Sequence, residues 1–77
     1  MDKFVKVTAT FDCDGNLTPE NIIWSEQKNY PISRVTDIRY TTSPENQKAE
    51  IRYTCIIHGK EKFLFFEGNR WFVKCTR

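Results

Sequence analysis

The chain has 77 residues, 39% of them apolar and 29% charged, with 12 Lys and Arg against 10 Asp and Glu. That length supports one small domain, spanning residues 1–77, with a single modest core. Val, Ile, Thr, Phe, Tyr and Trp supply 30 residues while Ala and Leu supply only 4, which excludes a helical bundle and favours strands. The longest apolar run, Phe63 to Phe66, is far below the roughly 18 residues of a membrane helix, so no membrane role is expected. Met1 to Lys6 shows no apolar signal-peptide region, and a cytoplasmic location is expected. A net charge of +2 neither demands nor excludes an acidic partner.

The first strand is expected over Lys3 to Phe11, where Val5, Val7, Ala9 and Phe11 alternate with polar residues. Asp12-Cys13-Asp14-Gly15-Asn16 ends it as a turn. Thr18-Pro19-Glu20-Asn21 reads as a helix start without an amphipathic run behind it, hence a single helical turn. A short strand over Ile22 to Glu26 and a polar connection at Gln27-Lys28-Asn29 follow. The third strand runs from Tyr30 to Thr42, but its alternation slips, and a bulge or bend near Ser33-Arg34 is needed to turn Val35 inward. Ser43-Pro44-Glu45-Asn46 repeats the helix-start pattern and predicts a second single turn.

Ala49 to His58, Glu61 to Glu67 and Arg70 to Thr76 complete the expected strands, joined by two-residue turns at Gly59-Lys60 and Gly68-Asn69. Counting from those turns places Ile57 opposite Lys62, Cys55 opposite Leu64, Tyr53 opposite Phe66, Phe66 opposite Trp71 and Phe65 opposite Phe72. It also aligns Arg52, Glu67 and Arg70 in one row of alternating charge. One face then carries Tyr53, Cys55, Ile57, Leu64, Phe66, Trp71 and Val73, and Val7, Trp24 and Ile38 are expected to join it in the core. The expected fold is all-β: a small antiparallel barrel or roll of five to six strands with single-turn helical connections.

Few residues suggest chemistry. Asp12 to Asn16 resembles the head of a calcium loop, but Gly falls at the fourth position and Ile23 at the twelfth, which breaks the EF-hand pattern. Cys55-x-x-His58 has zinc-ligand spacing, with Cys13 and Cys75 available, but two positions three apart on a strand point to opposite faces. Three cysteines cannot form a complete intramolecular disulfide set, so free thiols without metal or other cofactor are expected. His58 is the only histidine, no assembled catalytic motif surrounds it, and a non-enzymatic protein is expected.

The second sheet face is the functional candidate. Ile56, Phe63, Phe65 and Phe72 lie on it, and no helix is expected to cover them. Contiguous exposed rings of this kind mark interaction surfaces, so binding to another protein or a homodimer is the first reading. Its alternative is single-stranded nucleic-acid binding, with Lys62, Lys74 and Arg77 bordering the rings, although Glu61 and Glu67 interrupt any basic stripe. The third possibility is plain burial, in which the segment with Phe4 or the loop over residues 43–48 folds across the face.

The spacing Gly15-x3-Pro19-x2-Ile22-x-Trp24-x5-Tyr30-x-Ile32-x2-Val35 resembles short bacterial β-domains of unknown function, in which a Trp-containing strand leads into a Tyr-x-Ile/Val strand. The resemblance covers about a quarter of the chain and is apolar in content. It implies a small β fold and a bacterial or mobile-element origin, and it carries no catalytic residue across.

Overall fold

The computed structural model describes residues 2–42 and 47–74. All seven described strands join one antiparallel sheet: β1 (Asp2–Phe11), β2 (Leu17–Ser25), β3 (Lys28–Pro31), β4 (Arg34–Thr42), β5 (Ala49–Ile57), β6 (Lys60–Glu67) and β7 (Arg70–Lys74). Their order across the sheet is β3-β2-β1-β7-β6-β5-β4. The sheet curls into a half-barrel, with the core on its inner face.

The seventh strand arises where the long third strand breaks. Tyr30 still pairs with Ile22 of β2, whereas Arg34 pairs with Ile56 of β5. Between them the Ile32 N–H donates to the Glu20 carbonyl at 2.9 Å, and the Ser33 N–H donates to the Ile56 carbonyl at 2.8 Å. The chain therefore leaves one side of the half-barrel and joins the other within two residues. A bulge follows, in which Val35 and Asp37 pair with Cys55 and Thr54 and leave Thr36 as the extra residue. Break and bulge together explain the slipped alternation, since each moves the inward parity by one.

Two local expectations are corrected here. No helical turn forms at Thr18 to Asn21; these residues lie in β2, which starts at Leu17 rather than Ile22. Ala9 pairs with Pro19 and Thr8 with Asn21, so Glu20 is an extra bulge residue, a setting in which a strand tolerates proline. The polar connection after β2 is Glu26-Gln27, with Lys28 and Asn29 already in β3. Ser43 to Asn46, the second expected turn, lies outside the described residues, as do Cys75 and Arg77.

The β5–β6 turn also differs. Ile57 pairs with Lys60, so the two loop residues are His58 and Gly59, at φ of 53° and 76°. Positive φ at both positions is the type I′ geometry that matches strand twist. Cys55 thus faces Lys62, Tyr53 faces Leu64 and Ile51 faces Phe66, two residues away from the counted register. A shift of two keeps every side chain on its face. The β6–β7 hairpin has the counted register, with Phe65 opposite Phe72 and Phe66 opposite Trp71.

The core joins Ile22, Tyr53, Cys55, Ile57 and Leu64, flanked by Val5, Val7, Tyr30, Ile32, Val35, Ile51, Phe66, Trp71 and Val73. The Tyr53 hydroxyl donates to the Leu17 carbonyl at 2.8 Å across the interior, linking β5 to a strand it does not neighbour. Trp24 is half-buried, edge-on to Tyr30 and under the Lys3 ammonium. Ile38 is a correction: although it pairs with Tyr53 and shares its face, it is 42% exposed. It lines a shallow groove with Thr18 and Val35, and Tyr40 and Phe11 are 78% and 72% exposed.

Candidate functional site

The outer face of the sheet is built from a row that crosses four strands. Phe4 of β1 pairs with Phe72 of β7, Phe72 with Phe65 of β6, and Phe65 with Arg52 of β5. Phe65 and Phe72 stack with ring centroids 5.4 Å apart, and Phe4 meets Phe72 edge-on at 5.8 Å. The expected bare patch is therefore partly covered from within the chain. Phe65 and Phe72 are only 8% and 2% exposed, whereas Phe4 and Phe63 are 53% and 46% exposed. Ile56 is half-buried beside them. The correction has a simple cause: neighbouring strands stand close enough for long side chains to roof a ring.

Lys74 roofs Phe65, Phe4 lies against Phe72, and two arginines stand over the more exposed Phe63 and Phe4. The Lys74 ammonium stands 4.4 Å from the Phe65 ring centroid, and the Arg52 guanidinium 4.8 Å from that of Phe63. Arg70 stands 4.2 Å from Phe4. Such cation–ring contacts contribute about 0.5–1 kcal/mol each at exposed sites.

One carboxylate of this face, that of Glu50, is set lower. Glu50 is 6% exposed and its carboxylate accepts from Lys74 Nζ at 3.5 Å and from Thr41 Oγ1 at 3.4 Å. Glu50 stands opposite Glu67, and Glu67 opposite Arg70, so the charged row is Glu50, Glu67 and Arg70 rather than one through Arg52. Among the described residues, the buried atoms Arg52 Nε and Glu67 Oε2 have no hydrogen-bond partner. The importance of Glu50 was invisible in sequence, because its burial depends on Lys74 being brought next to it.

The residues weighed for other roles do not converge. Lys62 pairs with Cys55 and so belongs to the inner-face parity, opposite in side to Phe63 and Phe65, while Lys74 does share the aromatic face. The Cys55 thiol is fully buried, and burial pushes its pKa up to about 11. His58 lies on the exposed hairpin turn, edge-on to Tyr30 at 6.0 Å. Asp12 closes its own turn, its carboxylate accepting from the Asp14 and Asn16 N–H groups at 2.9 Å and from the Asn16 amide at 3.2 Å. Those hydrogen bonds from Asn16 hold its carboxyl below the usual value. A shallow groove between Thr18 of β2 and Val35 to Ile38 of β4 marks where the half-barrel stays open.

Among the described residues no helix is long and apolar enough to cross a membrane. Compared with protein-family models, with curated proteins and with solved structures, the chain matches none.

Proposed function

We propose that this chain is a non-enzymatic interaction module that receives another protein on its outer sheet face. Phe4 and Phe63 supply the apolar contacts, and Arg52, Arg70 and Lys74 the charged ones. The observation that carries this reading is the layering of the face. Lys74 is 40% exposed above a Glu50 carboxylate that is only 6% exposed. Around Lys74 solvent meets ring edge and cation with the Glu50 carboxylate beneath, while Glu61 and Asp37 stay exposed toward the margin of the same face. A complementary surface presents apolar side chains flanked by carboxylates, the arrangement in which arginine and aromatic hot spots are strongest.

Single-stranded nucleic acid is the second reading, favoured by cations interleaved with rings on one face. Base stacking needs a free ring face, and here Arg70, Arg52 and Lys74 already stand over Phe4, Phe63 and Phe65. Phe65 and Phe72 are stacked on each other and buried. The protein reading is therefore preferred.

Selection from a random peptide display library tests it. Peptides enriched by the native chain should carry Asp or Glu beside apolar residues, and should lose binding to a Phe4→Thr/Phe63→Thr variant. Equal binding to that variant overturns the assignment of the face. Tight binding of an oligothymidylate that weakens steeply with salt overturns the protein reading in favour of the second.

A further inference from the structure

We infer that β4 is a self-pairing edge, through which two copies of this chain join their sheets about a two-fold axis at Ile38. This surface is distinct from the outer aromatic face, and the inference does not depend on it.

Among the described residues the sheet ends in β3 on one side and β4 on the other. β3 has 4 residues and finishes in Pro31, two features that protect an edge from pairing. β4 has 9 residues, with neither Pro nor Lys among them. Beyond its bulge at Thr36 the run Asp37 to Thr42 keeps an unbroken register with β5. It also exposes apolar side chains, with Ile38 at 42% and Tyr40 at 78%.

Edge charges normally repel a second copy, but here they are self-complementary. Asp37 and Arg39 share the outer face, and their side chains pair at 2.9 Å while remaining 43% and 65% exposed. In a two-fold antiparallel pair one residue must stand opposite itself, because facing residues share a side of the sheet. With Ile38 on the axis, Asp37 stands opposite the second copy's Arg39, and Arg39 opposite its Asp37. Moving the axis to either neighbouring outer-face residue sets Asp37 against Asp37 or Arg39 against Arg39, which like-charge repulsion disfavours. Within one chain Arg39 already faces Arg52 across β5. A second carboxylate on its free side offsets that repulsion, so the occupant the edge favours is a copy of itself.

Sedimentation of the native chain, Asp37→Arg and Arg39→Asp tests the inference. The native chain should dimerise, and each single variant should weaken association about tenfold or more. Mixing the two variants in equal amounts should restore the dimer, because one now presents two arginines and the other two aspartates. A role for Asp37 and Arg39 confined to their own strand predicts no such rescue. A native chain that stays monomeric at millimolar concentration, or a mixture no more associated than its components, overturns the proposal. If a variant does not fold, amide exchange of the native chain decides: protection centred on residues 37–39 that rises with concentration supports the edge, and protection independent of concentration refutes it.

Discussion

Replacing Tyr53 by Phe removes one oxygen from the centre of the half-barrel and tests how the curl is held. Tyr53 is 2% exposed, and its hydroxyl reaches the Leu17 carbonyl at 2.8 Å, joining residues 36 positions apart. The phenylalanine ring keeps the packing against Trp71, whose centroid lies 5.5 Å away, so the change isolates the hydrogen bond. A neutral bond of this kind contributes about 0.5–1.5 kcal/mol net. Leu17 is only half-buried, so water can reach its carbonyl in the variant and hold the loss near ~1 kcal/mol. For a domain of this size that lowers the thermal midpoint by about 4–8 °C. Burial also raises the Tyr53 pKa above its ordinary value of 10.0. The unfolded chain then ionises first, so the neutral phenol's contribution is complete below pH 10 and declines as pH rises through the folded value. Thermal and urea unfolding followed by circular dichroism at pH 7 and at higher pH should therefore show native and variant curves converging on the alkaline side. A variant as stable as the native chain at pH 7 refutes the cross-interior tie, and a gap that stays constant above pH 10 refutes the buried phenol.

Two further outcomes follow from the same core. Leu64 is 1% exposed and faces Tyr53, so Leu64→Ala should cost about 2–5 kcal/mol. An unchanged thermal midpoint for that variant means that the two sheet faces have been assigned the wrong way round. Cys13 is exposed whereas the Cys55 thiol is buried and pushed up to about 11, so iodoacetamide at pH 8 should alkylate Cys13 long before Cys55. Peptide mapping by mass spectrometry reads the two rates, and equal labelling contradicts a buried Cys55. The raised thiol pKa adds stability below pH 9 that is lost as pH rises toward 11.

The strand class and the two faces of the C-terminal sheet were legible in sequence, because side-chain alternation is a local property of an extended chain. Tyr53, Cys55, Ile57 and Leu64 could be placed inside on that basis alone, and all four are buried. The β5–β6 register was not legible. His58 adopts positive φ in place of leaving that conformation to Gly59 alone, and Ile57 pairs with Lys60. The face assignment survived because the error was an even number of residues. Likewise the slipped alternation after Tyr30 announced an irregularity, but both a break at Ile32-Ser33 and a bulge at Thr36 were needed to satisfy backbone groups on two different partners.

Exposure was decided only by tertiary structure. Sequence puts Phe63, Phe65 and Phe72 on the outer face, but it cannot say which ring lies beneath Lys74 or beside Phe4. Those neighbours come from β1 and β7, strands at opposite ends of the chain that the fold brings together. Ile38 fails as a core residue for the converse reason: its face is correct, but it lies where the half-barrel stays open. Alternation along a strand determines which side of the sheet a residue occupies, whereas burial depends on which strands lie across from it and how far the sheet has closed.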